Sequence, residues 1–180
     1  NGHGTRLASI AAGNRNLEEG VSGAAPEAEL VIVKLKPAKE YLRELYLIPP
    51  EAEVFQEDDI MLGISYAIKC ALRYQKPLSV CVGLGSSQGS HRGDGPLSQY
   101  ISSIADFTQN CVSVAAGNEG LARRHYMGLL DEKTTSDILE LRVGAKEAVH
   151  GFSMEFWGEA SDFYHVTIQS PTCLLYTSDA

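Results

Sequence analysis

Over residues 1–120, apolar side chains at helical spacing alternate with short, unbroken apolar runs. The helical spacing predicts a helix at 4–12, a second helix with an N-cap at Asp58 or Asp59, and a third that opens at Pro96. The unbroken runs predict buried parallel strands; they are LVIVKL at 30–35, LSVCV at 78–82 and CVSVAA at 111–116. Strands and helices that alternate in this way indicate an α/β fold with a doubly wound parallel sheet.

After residue 137 the period changes to two, because apolar and polar residues alternate over 139–143, 152–156 and 164–168. This alternation predicts the start of a separate antiparallel β unit, with one buried face per strand. Three strands alone make a poor domain, so we expect the unit to be incomplete. The last eight residues, CLLYTSDA, fit neither period. They resemble a translated sequencing adapter, and we predict that they are a non-native tail.

Residues 36–59 are predicted to form a surface excursion between the first two strands. Five of the nine residues from 51 to 59 are acidic, and so many carboxylates cannot be buried unpaired. The cluster lacks the Asp-x-Asp-x-Asp-Gly order of a calcium loop, so a solvated charge run is favoured over a metal site. The side chains expected to anchor the excursion are Tyr41, Leu42, Leu45 and Tyr46.

The composition is that of an ordinary globular protein, with 44% hydrophobic and 21% charged residues in a chain of 180. A net charge of −8 argues against a nucleic-acid partner, because nucleic acids are bound through clustered basic residues. No apolar run approaches the ~20 residues of a membrane span, so a membrane partner is not expected either. We predict no cofactor and no metal.

Four cysteines, at 70, 81, 111 and 173, form no C-x-x-C pair and have no histidines at zinc spacing. Cys70, Cys81 and Cys111 lie in apolar runs, which predicts buried free thiols that behave as small hydrophobic side chains. A disulfide framework is disfavoured at this density and length.

A histidine between two glycines opens the chain, in Asn1-Gly2-His3-Gly4-Thr5. Such an imidazole is accessible on both sides, as a general base must be, and its charge changes near neutral pH. A single histidine taken alone is more often structural. Because the motif begins at the first residue, without a Met, we expect the chain to be truncated at its N-terminus.

An asparagine follows the third predicted strand, in VAAGNEG at 114–120. In that position the amide of Asn118 can donate to a developing oxyanion, although an asparagine turn is the commoner interpretation of such a residue in isolation. Ligand sites of parallel sheets lie beyond the carboxyl ends of the strands. The loop GLGSSQG at 83–89 follows the strand at 78–82 in the same way, so both loops are candidates for the site.

Together and in this order, the two motifs resemble the histidine and oxyanion motifs of the subtilisin-like serine proteases. Two weaker matches lie between them: GAAPEAEL at 23–30 resembles the family's turn G-V-A-P-x-A-x-L, and VGLG at 82–85 resembles its M-S-L-G segment. The sequence departs from the family pattern in two places. Arg6, Leu7 and Ala8 stand where His or Ala, Val and Ala are usual, and Gly83 stands where serine is usual.

The resemblance implies an endopeptidase that acts by acyl transfer with an Asp-His-Ser triad on a protein or peptide substrate. It makes His3 the general base and Asn118 the oxyanion donor. The substrate-binding residues that it implies are Gly83, Leu84, Gly85, Ala115, Ala116 and Gly117, as two walls of the specificity pocket. Neither the D-[ST]-G turn of the aspartate nor the G-T-S turn of the serine occurs in the sequence. We therefore expect a fragment without peptidase activity of its own.

The excursion, the loop after the strand at 78–82 and the β unit after GNEG are similar to those of the clostridial germination-type subtilases. In these proteases, which process the zymogen of a spore cortex hydrolase, a jelly-roll domain interrupts the catalytic domain. The resemblance implies a partial catalytic domain at 1–136 and the start of an inserted jelly-roll-like domain at 137–172, followed by the tail at 173–180. It also implies a spore-associated or secreted protein.

Two other interpretations stay open. The chain could belong to a pseudoprotease that serves as a binding or signalling scaffold, because germination-type subtilases include members without a complete triad; the presence of both His3 and Asn118 favours the protease. A nucleotide-binding α/β protein leaves both motifs unexplained, and GLGSSQG lacks the G-x-G-x-x-G spacing.

Overall fold

The computed structural model describes residues 2–107, 109–143, 151–172 and 175–179. Eight elements follow one another along these residues. They are α1 (His3–Ala12), α2 (Glu40–Leu45), α3 (Glu57–Tyr74), β1 (Leu78–Val82), α4 (Pro96–Ala105), β2 (Asn110–Val114), β3 (His165–Gln169) and β4 (Leu175–Asp179). Within the described ranges, no helix has the length and apolar character needed to cross a membrane.

The centre of the fold is the parallel pair β1 and β2, in which Leu78 lies opposite Asn110 and Val82 opposite Val114. The pairing continues one step past the strands, because the amide of Ala115 donates to the carbonyl of Val82 at 3.0 Å. Helix α3 packs against β1, α4 packs against β2, and the two helices touch each other. The predicted α/β arrangement with a parallel sheet is confirmed for this part of the chain.

The two packing helices begin and end where their sequences favour it. Pro96 occupies the first turn of α4, as predicted. In α3 the N-cap is Gln56, so the predicted cap at Asp58 or Asp59 is wrong. Both aspartates lie within the first turn, where carboxylates interact favourably with the helix dipole. The helix ends at Gln75, which adopts the left-handed conformation.

The predicted strand at 30–35 is not a strand in the structure. This run instead lies along α3: the Cγ1 of Val33 is 3.0 Å from where a Cβ on Gly63 would be, and Lys36 Nζ is 3.2 Å from Asp59 Oδ1. The apolar residues at 30–33 are all more than a third exposed. An apolar run signals contact with other apolar groups, but a strand also needs a neighbouring strand to receive its hydrogen bonds.

Only one face of the parallel pair is covered by the described helices. Side chains alternate along β1 and β2, and Cys81 and Cys111 lie on the exposed side. The prediction that these thiols are buried is therefore wrong, and Cys70 is half-buried. All three are free thiols, as predicted. Cys173 lies outside the described residues.

The excursion at 36–59 is folded around an arginine rather than around its aromatic residues. Arg43, on α2, donates to the carbonyls of Pro49, Pro50 and Ala52 at 2.9–3.0 Å. Leu42 is half-buried, but the other three predicted anchors, Tyr41, Leu45 and Tyr46, are exposed. The half-buried guanidinium, by donating to three carbonyls at once, holds the double-proline turn in place.

Beyond residue 137 the structure has fewer strands than the alternation predicts. The runs at 139–143 and 152–156 have no regular secondary structure, and these two predictions are wrong. The third, predicted at 164–168, is present as β3. It pairs in antiparallel fashion with β4, which lies in the stretch predicted to be a non-native tail. A period of two defines the faces of a strand but does not supply its partner.

Candidate active site

His3 is held at the start of α1, directly after the N-cap Gly2. The far end of α1 is fixed by the GAAPEAEL segment. The amides of Gly23, Ala24 and Ala25 donate to the carbonyls of residues 13, 10 and 11 at 2.8–3.0 Å. These bonds satisfy carbonyls that the end of a helix leaves without a partner. The motif at 23–30 thus positions the helix that carries His3.

The imidazole of His3 reaches across to the segment that follows β1. Its Nε2 lies 2.8 Å from the carbonyl oxygen of Gly83, although the two residues are 80 positions apart. A carbonyl oxygen can only accept, so Nε2 carries the proton in this contact. To accept a proton at Nε2, the ring has to leave this carbonyl and hold its own proton on Nδ1.

Gly83 leaves no space for a side chain. A Cβ at this position would lie 2.1 Å from the Cδ1 of Leu7 and 3.2 Å from the Nε2 of His3. The two departures from the family pattern, Leu7 on α1 and Gly83 after β1, are therefore in direct contact. The larger side chain of Leu7 occupies the volume that a serine at 83 would need.

The two predicted walls lie side by side because β1 and β2 are parallel and in register. A Cβ on Gly85 would be 3.4 Å from the Cα of Gly117 and 3.5 Å from the carbonyl oxygen of Ala115. Such a Cβ would be in ordinary van der Waals contact with the opposite segment, so the two walls lie close together at this level and leave room for little more than a methyl group.

Asn118 follows a residue that adopts a conformation reserved largely for glycine. Gly117 has φ +85°, and this turn places Asn118 and its exposed amide directly beyond β2. The structure thus brings His3, the 83–85 segment and the 115–118 turn to one edge of the sheet. All the residues that the sequence singled out for the site lie here; Asn1 of the histidine motif lies outside the described residues.

A second set of contacts, which the sequence analysis missed, joins the two loops just beyond the walls. The hydroxyl of Ser87 donates to Glu119 Oε2 at 3.3 Å, and Arg124 forms an ion pair with the same carboxylate at 2.8 Å. The rings of His91 and His125 stack with their centroids 4.5 Å apart. Glu119 thus ties the turn of Asn118 to the loop that follows Gly85.

The loop at 86–94 is also contacted from residues 155–159. The amide of Gly89 donates to Glu155 Oε2 at 2.7 Å, and Arg92 forms a bidentate ion pair with Glu159. The hydrogen bond from Gly89, aided by one from Trp157 and by the charge of His91, lowers the pKa of Glu155. The guanidinium of Arg92 lowers the pKa of Glu159. Nothing in the sequence pattern pairs these two stretches.

Metal ligands do not gather anywhere in the ranges that the structure describes: no three His, Cys, Asp or Glu side chains come together at ligand spacing there. The acidic residues at 51–59 are part of these ranges. Among the described residues, the candidate site presents an imidazole, an amide side chain and backbone hydrogen-bonding groups.

Comparison with known proteins agrees with this arrangement. A family model described as the subtilase family matches residues 1–140. An intracellular serine protease of Paenibacillus polymyxa is 35% identical over 120 residues, which are 67% of this chain and 29% of that protein.

Among solved structures, the Clostridium perfringens CspB protease superposes with a TM-score of 0.53 and 27% sequence identity. The match covers 66% of this chain and 23% of that one. The chain thus spans less than a third of the length of either relative.

Proposed function

Because the chain belongs to the subtilase family, we propose that it forms part of a serine-type endopeptidase that hydrolyses peptide bonds by acyl transfer. The observation that carries the proposal is the contact between His3 Nε2 and the carbonyl of Gly83. It places the only imidazole of the histidine motif against the segment proposed to bind the substrate backbone. The aspartate and the serine of the triad lie outside these 180 residues.

In the proposed reaction, His3 leaves the Gly83 carbonyl and accepts the proton of the serine hydroxyl at Nε2 as the hydroxyl attacks the substrate carbonyl. The aspartate holds the remaining ring proton on Nδ1. The side-chain amide of Asn118 donates to the oxyanion of the tetrahedral intermediate. His3 then gives its proton to the leaving amine, and the second half of the reaction repeats these steps with water as the nucleophile.

The substrate is a protein or peptide in extended conformation, bound along Gly83, Leu84 and Gly85. Residues 115–117 form the second wall. Because the two walls lie close together at Gly85 and Gly117, we place the space for a large substrate side chain elsewhere along the two segments.

We further propose that residues 1–136 are a partial catalytic domain and that 137–172 begin an inserted, jelly-roll-like β domain. The family match ends at residue 140, close to the proposed boundary, and β3 takes part in antiparallel pairing. The origin of residues 173–180 as a non-native tail stays a prediction.

The test is covalent labelling with a fluorophosphonate probe, applied to the complete protein that contains this chain. We expect one serine to be labelled in the complete protein and no serine in the isolated 180 residues. The substitution His3→Ala should slow the hydrolysis of a peptide substrate by a factor of about 10²–10⁴, because the general base is lost.

The substitution Asn118→Ala should lower kcat by about 10²–10³, the cost of removing the corresponding donor in subtilisin, a member of this family. His165→Ala, which removes another exposed histidine, is the matched control and should retain full activity. A complete protein that resists the probe but still binds peptides would instead support the pseudoprotease scaffold.

A further inference from the structure

The loop at 86–94 stands between two parts of the molecule that are far apart in sequence. Its first residues continue directly from Gly85, and Ser87 contacts the carboxylate next to Asn118. Its later residues are contacted by Glu155 and Glu159, more than 60 positions further along the chain. A displacement of this loop would therefore move both proposed walls of the site.

Glu155 makes the contact that reaches the backbone of the loop. Its Oε2 accepts the backbone amide of Gly89 at 2.7 Å, a charge-assisted hydrogen bond of short length. The same oxygen accepts the indole N–H of Trp157 at 3.1 Å, which orients the carboxylate toward the loop. A backbone donor is involved, so the contact restrains the course of the loop itself rather than one side chain.

Glu159 adds a second contact, three residues further along the loop. Its carboxylate faces the guanidinium of Arg92, with Arg92 Nη1 3.0 Å from Glu159 Oε2. Both side chains are more than half exposed, at 58% and 55%, so this pair alone contributes little. Its role is to orient the 155–159 segment relative to the loop, because a bidentate pair restricts the relative orientation of the two side chains.

The stretch that presents the two carboxylates is itself held in shape. The rings of Phe156 and Tyr164 pack edge to face, with centroids 5.2 Å apart. The hydroxyl of Tyr164 accepts the amide of Glu159 at 3.3 Å and donates to Asp162 at 3.2 Å. Glu155 and Glu159 are thus fixed on a preformed turn.

From these contacts we infer that Glu155 and Glu159 are positioning residues of the active site. They fix the loop at 86–94 and, through it, the backbone at 83–85 that receives the substrate. The role in substrate binding rests on the proposed function; the restraint on the loop does not. Residues 155–159 thus act on the proposed site through the loop at 86–94.

The first part of the test measures the restraint alone, by hydrogen exchange of the Gly89 amide in the complete protein that contains this chain. Glu155→Ala should speed this exchange by roughly three- to tenfold, because a charge-assisted hydrogen bond is lost. Glu155→Gln, which keeps an acceptor oxygen, should restore most of the protection. Glu140→Ala, which removes an exposed ion pair of the same kind with Arg142, should leave Gly89 unchanged.

If the Gly89 amide exchanges at the same rate in the Glu155→Ala variant, Glu155 does not restrain the loop. Circular dichroism of each variant shows whether the fold is retained, and these carboxylates are exposed, so we expect it to be.

The second part measures the effect on the site, with acetyl-tetraalanine amide as the probe. Its affinity is read from the amide shifts of Leu84 and Gly85. Glu155→Ala should weaken binding by about two- to fivefold, and Glu155→Gln should recover it.

Equal binding by the parent chain and the Glu155→Ala chain would overturn the positioning role while leaving the proposed function intact. If the parent chain shows no shifts at 83–85, the proposed substrate segment is wrong and the positioning role fails with it. The Gly89 exchange still decides whether the restraint exists.

Discussion

In this structure the imidazole of His3 is hydrogen-bonded to the backbone and is not oriented to act as a base. Nε2, the nitrogen that would take the serine proton, is occupied as a donor to the Gly83 carbonyl. A general base needs its lone pair on that nitrogen, so a carboxylate on the Nδ1 side is required to hold the other tautomer. In the proposed mechanism, the histidine motif therefore sets the position of the base, and the aspartate of the triad sets which ring nitrogen is basic.

The carboxylates that contact the loop at 86–94 make its restraint depend on pH. The Gly89 amide lowers the pKa of Glu155, and Arg92 lowers that of Glu159. A carboxyl with a pKa depressed by folding stabilises the folded contact at pH values above its ordinary pKa, and this contribution is lost as the pH falls through the lowered value.

We therefore expect the contact to persist between pH 5 and 8 and to be lost below about pH 4, the range under the ordinary glutamate pKa. The amide shift of Gly89, followed by NMR through an acid titration, measures this loss. In the Glu155→Gln variant, which has no carboxyl group at position 155, this change in the Gly89 amide shift should be absent. A midpoint above the ordinary glutamate value would contradict the assignment.

At the scale of elements, α1 and the end of β1 are matched to each other through one side chain. Leu7 fills the space above Gly83, and Gly83 in turn lets its carbonyl meet the ring of His3. The two departures from the family pattern compensate each other, since either one alone would produce a clash or a gap.

The substitution Gly83→Ser should therefore destabilise the chain by about 1–3 kcal/mol, because its Cβ meets the Cδ1 of Leu7. In the double variant with Leu7→Val, which lacks a δ carbon, most of that loss should be recovered. The coupling between the two positions is measured by thermal unfolding of four proteins: the parent, Gly83→Ser, Leu7→Val and the double variant.

Gly120→Ser is the control for this cycle. A Cβ at 120 meets no atom within 4 Å, so its effect should be close to zero. Additive effects of the substitutions at 7 and 83 would show that the two sites are independent.

At the scale of the whole molecule, much apolar surface remains uncovered. The chain exposes 15435 Å², whereas a compact monomer of 19.5 kDa exposes roughly 8,500 Å². In the described ranges, three apolar residues are buried: Ile64, Ala67 and Ile104. They lie on α3 and α4, so the core sits between the two helices that pack on the parallel pair.

We therefore expect the isolated chain to bind the dye ANS and to unfold in a broad transition. The urea m-value should fall at or below about 1 kcal/mol/M, the lower end for small proteins, because little surface becomes exposed on unfolding. Fluorescence and circular dichroism along a urea series measure both quantities, with the chain in 8 M urea as the reference for free dye. A sharp transition without dye binding would contradict this expectation.

Local pattern was enough to predict α1, α3 and α4, together with β1 and β2. Each of these elements has its own period, and a start such as Pro96 is recognisable in the sequence. The strands β1 and β2 also pair with each other, and α3 and α4 pack on them. The location of the candidate site residues was also predictable, because the turns that follow β1 and β2 carry distinctive sequences. Parallel pairing then brings those turns to the same edge.

Other features followed only from the tertiary structure. The runs at 30–35, 139–143 and 152–156 have the pattern of strands but no partner, and hydrogen bonds between strands depend on neighbours that a local pattern does not contain. The exposure of Cys81 depends in the same way on which face of the sheet is covered.

The sequence by itself thus identified the residues proposed to carry the chemistry and the helices and strands that support them, since these depend on residue type and local period. Only the tertiary structure showed that His3 contacts Gly83 and that Glu155 contacts Gly89. It also showed that Leu7 occupies the space that a side chain at position 83 would need. Each of these contacts joins residues more than 60 positions apart in the chain. Their energies depend on distances of a few ångströms, which no spacing in the sequence encodes.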